Sequence, residues 1–156
     1  MTYQQAGVAD VKVDIINTGW PASYASGADI VSPIIGTSGR TNATISSNQI
    51  TLTSGSHWRL EWSPSQSIGA TGSTTFEAQF YSVTDGAYVG QSTFAGSQNA
   101  DLRKCRIVAT HFILSSEITT SITLECRLKS CTTNLIDGDV YEISDKSTLR
   151  IFEVPA

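Results

Sequence analysis

Ser47-Asn48-Gln49-Ile50-Thr51-Leu52-Thr53-Ser54-Gly55-Ser56-His57-Trp58-Arg59-Leu60-Glu61-Trp62, followed after a Gly/Ser-rich spacer by Phe76-Glu77-Ala78-Gln79-Phe80-Tyr81-Ser82-Val83-Thr84-Asp85-Gly86, is the stretch that decides the fold. Ile50 and Leu52 alternate with Gln49, Thr51 and Thr53; Trp58, Leu60 and Trp62 alternate with His57, Arg59 and Glu61; Phe76, Ala78 and Phe80 alternate with Glu77 and Gln79. A side-chain period of two is that of a strand with one apolar and one polar face. Ser54-Gly55-Ser56 and Thr84-Asp85-Gly86 are turn-forming clusters, and Ser63-Pro64 closes the middle run. Three antiparallel strands are expected. Full burial of a side chain such as Trp58 or Phe80 is worth roughly 1.5–3 kcal/mol, so a one-residue slip that exposes the whole set is strongly disfavoured.

The flanking sequence has the same texture. Upstream, Val8–Asn17 carries Val11, Val13 and Ile15 on one face and Lys12, Asp14 and Ile16 on the other. Trp20 and Tyr24 lie in a loop that reads either as a flap over a core edge or as a partner-binding surface. Residues 28–36 form a short strand interrupted at Pro33, which suits an edge position. Downstream, strands are expected over 87–95, 104–114, 118–128 and 147–154. No run keeps helical periodicity, and strands recur at roughly the 8–12-residue spacing of a sandwich. The expectation is an all-β, two-sheet antiparallel jelly-roll sandwich of about nine or ten strands. It forms one domain over 1–156, with residues 1–41 holding an N-terminal segment and attachment arm.

Composition narrows the function classes. The chain has 156 residues, 15% of them charged, and about a quarter are Ser or Thr, the composition of strands with hydroxyl-bearing outer faces. A net charge of -4 gives no footprint for a phosphate backbone, so no nucleic-acid partner is expected. Apolar runs such as 107–114 fall far short of the roughly 20 residues of a membrane helix. Met1–Gln5 lacks the basic and apolar regions of a secretion signal, so the chain is expected to be soluble and made in the cytosol, without a membrane partner. Cys105, Cys126 and Cys131 then read as buried free thiols, with one disulfide as the alternative. With His57 and His111 they show no CxxC or HxxxH spacing for zinc. Asp137-Gly138-Asp139 lacks the further spaced carboxylates of a calcium loop. There is no Gly-x-Ser-x-Gly elbow. No catalytic residue, metal or cofactor is expected.

Ile45–Leu52, Gly55, Trp58–Glu61 and Ala78–Gly86 together resemble the tumour-necrosis-factor-like jelly roll of bacteriophage fibre and virion-surface proteins, a family related to complement globular heads. The likeness spans about residues 44–154 and departs from the family pattern at Thr53-Ser54 and Ser82. In such proteins, the resemblance implies, an inner sheet packs about a three-fold axis; here it would comprise 8–17, 57–62, 104–114 and 147–154. The residues point the same way. In 104–114, Val108, Phe112 and Leu114 occupy one face and Ile107, Ala109, His111 and Ile113 the other; in 147–154, Leu149 and Ile151 oppose Arg150, Phe152 and Val154. A strand apolar on both faces needs cover on its second side. A homotrimer is therefore expected, with Ile107, Ala109, His111 and Ile113 at the axis. Arg59 and Glu61 read either as inter-chain ion pairs or as an ordinary exposed pair, and His111 either as a pH-sensitive contact or as a satisfied interface histidine.

The resemblance implies a non-enzymatic structural protein of a phage virion, assembled in the host cytoplasm, with a major capsid protein or a fibre or tail protein as partner. Without heptads, a collagen-like repeat or a shaft, capsid decoration is favoured over a fibre tip. A glycan-binding module is the competing class. It would use apical loops 63–74, 96–103 and 129–145 on a host surface polysaccharide, with Trp62 as the nearby stacking platform.

Overall fold

The computed structural model describes residues 11–18, 29–67, 74–97, 104–106, 108–131 and 147–156. Their strands are β1 (Lys12–Thr18), β2 (Ile30–Val31), β3 (Ile34–Ile35), β4 (Ala43–Ser46), β5 (Gln49–Thr53), β6 (Ser56–Ser63), β7 (Ser65–Ser67), β8 (Thr74–Ser82), β9 (Ala87–Ser97), β10 (Lys104–Arg106), β11 (Ala109–Ile113), β12 (Ser121–Cys131) and β13 (Thr148–Pro155). One layer runs β3-β1-β13-β6-β11 and the other β4-β5-β12-β8-β9, with β2 on β12; all pairings are antiparallel. Successive strands β5, β6, β8, β11, β12 and β13 pass back and forth between the layers, which is the jelly-roll path. β1, β13, β6 and β11, which fall within the four segments expected to form one inner sheet, are neighbours in one layer.

Alternation explains the core. Trp58, Leu60 and Trp62 of β6 are fully buried with Leu149 and Ile151 of β13, facing Ile50, Leu52, Phe80, Leu124, Cys126 and Leu128 of the other layer. Trp58 Nε1 donates to the Thr53 carbonyl at 3.3 Å and Trp62 Nε1 to Thr18 Oγ1 at 3.3 Å, so neither indole leaves a buried donor unsatisfied. The Cys126 thiol is free and fully buried, and burial pushes its pKa well up.

Local chemistry sets the joints. Ser47 and Asn48 both take positive φ (51° and 64°) in the two-residue turn between β4 and β5, as a primed hairpin turn requires. Pro33 splits its strand as expected, and the halves go to different layers: β2 pairs with β12, and β3 with β1. The opposite side is closed by β9, which advances from Val89 to Thr93 while β8 moves only from Phe80 to Ala78. In that bulge Gly90 takes φ +71° and Gln91 pairs with Thr110 of β11, joining the layers at a corner. The expected single strand 104–114 is two pieces: β10 pairs with β7 in a separate small sheet, and only β11 belongs to the main layer.

Candidate functional site: the outward face of the inner layer

The layer β3-β1-β13-β6-β11 turns a second face away from the core. Register places its side chains in rows: Val13, Phe152, Arg59 and Phe112; then Ile15, Arg150, Glu61 and Thr110; then Ile35, Asn17, Thr148 and Ser63. Of the nine exposed large hydrophobic residues among those described, seven lie on or beside this face: Val11, Val13, Ile15, Ile35, Val108, Phe112 and Leu114, each 40–66% exposed. Such clustering marks an interaction surface, whereas scattered exposed side chains would not.

A charged cluster sits in the middle of this apolar frame. Arg59 donates to Glu61 and lies 5.3 Å from the centre of the Phe152 ring, and the Arg150 guanidinium is 3.6 Å from the other Glu61 oxygen. Beside it opens a shallow cavity of about 190 Å³ lined by Glu61, Ser63, Val108, Thr148 and Arg150.

The outward face of the other layer is built for water. Glu125 takes Arg127 at 2.7 Å and Gln49 Nε2 at 2.9 Å, Lys129 pairs with Glu77 at 3.1 Å, and Thr51 and Thr123 hydroxyls meet at 3.3 Å. The Arg127 guanidinium lies over the Tyr81 ring at 3.6 Å, and Tyr81 meets Tyr88 edge-on at 5.2 Å. Burial, and then the hydrogen bond from Tyr88 to Asp29, push the Tyr88 phenol up. Glu125, Arg127, Lys129 and Glu77 each have a local partner of opposite charge.

The structure corrects the residues expected at the axis. Ala109 pairs with Trp62 and Ile113 with Trp58, so both point with the tryptophans into the core and are buried, 0% and 2% exposed. The other face of β11, with Thr110 and Phe112 and flanked by Val108 and Leu114, is the outward one. His111 also faces inward, its ring centre 6.5 Å from that of Phe80. Arg59 and Glu61 do lie on the outward face, paired with each other within one chain. Ile107 lies outside the described residues, as do Trp20, Tyr24 and most of the three apical loops. Trp62 is fully buried and offers no stacking platform. Sequence reasoning passed over Ile15 and Phe112; the signal was available, because Phe112 shares a face with Val108 and Leu114 and stands opposite the outward Arg59.

Burial lowers the His111 pKa below the ordinary histidine value, with the Glu117 charge opposing the shift. As pH falls through about 6.5, the unfolded chain therefore takes up a proton before the folded one does. His111 contributes most to stability above that pH and progressively less below it, so urea midpoints are expected to drop between pH 7.5 and 5.5. His111→Gln should flatten that drop; equal slopes for both proteins would refute the assignment.

No protein-family model and no curated protein matches the chain. Among solved structures, murine APRIL at pH 8.5 aligns with a TM-score of 0.48 at 6% identity, covering 91% of this chain and 99% of that one. The PRD1 vertex protein P5 aligns at 0.39 and 14% identity, covering 96% and 99%. The CBM35 of Cellvibrio japonicus Abf62 aligns at 0.31 and 9% identity, covering 90% and 92%. The chain is a jelly roll. That statement rests on its own strand path, since likenesses this distant carry nothing about function. Among the described residues no group of three or more His, Cys, Asp or Glu could hold a metal ion, and no helix is long and apolar enough to cross a membrane.

Proposed function

We propose that this chain is a non-enzymatic structural protein of a bacteriophage particle: a homotrimeric jelly-roll knob whose copies cover one another's inner layers, seated on the shell as a capsid decoration protein. The observation that carries the homotrimer is the apolar outward face of that layer, which contrasts with the face opposite, where the charged side chains pair with one another. An antiparallel sheet can leave one face in water, but here Val13 and Ile15 of β1, with Val108, Phe112 and Leu114 in and beside β11, turn outward. The virion placement is supported by the motif resemblance in 44–154 and the jelly-roll path it implies.

The test is to locate the protein in purified particles by cryogenic imaging and to count its copies by quantitative mass spectrometry. Hundreds of copies distributed over the shell are the expected result. A handful of trimers at a tail or vertex would move the reading to a fibre tip, and absence from particles would overturn it.

A further inference from the structure

We propose that His57 is a proton-operated latch on the outward face of the inner layer, ready for coverage when neutral and opposing coverage when charged. This rests on the homotrimer reading above and adds to it a control over assembly. Alternation along β6 sends His57 outward with Arg59 and Glu61, whereas His111 points into the core. Val154 of β13 stands opposite His57, and Val11 and Leu114, one residue outside the paired ends of β1 and β11, continue the same row. Val11 is 46% and Leu114 42% exposed. A titratable ring is thus set among three apolar side chains on the face that the copies would cover.

The ring is also tied to a turn. Its Nδ1 accepts a hydrogen bond from the Ser115 backbone N–H at 3.0 Å, and the Glu117 carboxylate accepts from the adjacent Leu114 N–H at 2.7 Å. These two bonds hold the short 3-10 turn Ser115–Glu117 and fix Leu114 beside it. An accepting Nδ1 carries no proton, so the bonded ring is neutral, with its hydrogen on Nε2. Protonation makes Nδ1 a donor facing a donor, and the bond to Ser115 is lost. Among the described residues the nearby charges offer no free partner. Arg59 and Lys12 are cations, Glu61 is taken by Arg59 and Arg150, and Glu153 faces the other side of the sheet, accepting from Ser56 at 2.9 Å and Asn42 at 3.1 Å. Glu117 could meet the charged ring only by giving up Leu114, the turn's other bond.

Histidine is the side chain whose ordinary charge change falls between pH 5 and 8. Covering a charged ring costs more than covering a neutral one, so acid shifts the equilibrium toward separated chains. Overall charge gives the opposite sign. The chain carries -4 with its histidines neutral, and protons taken up by them reduce that charge, so repulsion between copies weakens as pH falls. Loosening on acidification is therefore a signature of the latch, and tightening is the signature of net charge.

Sedimentation equilibrium of the full chain at pH 7.5 and 5.5 tests this with wild type, His57→Gln and His111→Gln, each checked at both pH values for an unchanged circular dichroism spectrum. Between pH 7.5 and 5.5 the wild-type dissociation constant rises at least about tenfold. His57→Gln, whose amide oxygen can still accept from Ser115 and does not titrate, stays trimeric at both, while His111→Gln keeps the wild-type response. Hydrogen exchange at the Ser115 amide gives a reading that needs no variant: its protection factor falls between pH 7.5 and 5.5. A trimer that is equally tight or tighter at pH 5.5, a response that survives in His57→Gln or vanishes in His111→Gln, or a Ser115 amide equally protected at both pH values overturns the latch while leaving the trimer standing. A wild-type monomer at both pH values overturns the homotrimer beneath it.

Discussion

Gly90→Ala is expected to cost about 2–5 kcal/mol of folding stability, a large part of the roughly 5–15 kcal/mol typical of a domain. Two effects combine. Gly90 has φ +71°, where an L side chain costs roughly 1–2 kcal/mol. An added Cβ would also lie 2.3 Å from the Thr110 carbonyl oxygen and 2.8 Å from His111 Cβ, so β9 would be forced away from β11 where the two layers meet. Gly86 separates the two effects. Its φ is nearly the same, +67°, but the nearest atom to an added Cβ is the Tyr81 hydroxyl oxygen at 4.0 Å. Gly86→Ala should therefore show the backbone effect alone, about 1–2 kcal/mol. Urea titrations of the two variants decide the matter: equal losses would mean that the close approach to Thr110 contributes nothing.

The second large effect concerns assembly. Replacing Ile15 and Phe112 together by aspartate should leave the monomer folded, because the two side chains are 66% and 55% exposed and neither belongs to the core. In the proposed homotrimer both are covered, and each loses roughly 1.5–3 kcal/mol of apolar burial when replaced. The dissociation constant is then expected to rise about a hundredfold or more. Phe94→Asp is the matched control, since Phe94 is 64% exposed on a strand of the other layer. Sedimentation velocity should find monomers for the double variant and unaltered trimers for Phe94→Asp. Trimers in both cases would show that the apolar face of the inner layer is not what holds the copies together.

What the sequence reveals follows from how local the controlling interactions are. The period-two pattern of 49–53, 57–62 and 76–80 is written in consecutive residues, so these strands and their core faces are legible. Pro33 acts on its immediate neighbours and splits its strand where expected. The grouping of 8–17, 57–62, 104–114 and 147–154 into one layer follows from the motif resemblance, with the two-faced apolar pattern of 104–114 and 147–154 in agreement. The facing of β11 was not legible in the same way. With apolar residues on both sides, nothing within Ala109–Ile113 says which side is inner; the pairing of Ala109 with Trp62 and of Ile113 with Trp58, about fifty residues earlier, decides it. The same holds for the Arg59, Glu61 and Arg150 cluster, whose third member comes from the far end of the chain. The bulge at Gly90 also escaped the sequence reading, because the need for glycine there arises from the carbonyl of Thr110 on another strand.

The pairing of β1 with β13 has a mechanical consequence. Lys12, which opens β1, stands opposite Glu153 near the close of β13, and the ladder runs from there to Asn17 opposite Thr148. Tension applied between the outer ends of these two strands would part their hydrogen bonds one after another, as a zip opens. Tension that slid one strand lengthwise along the other would strain them all at once. A tether holding this protein would therefore yield or resist according to the direction of the pull, with the contacts themselves unchanged.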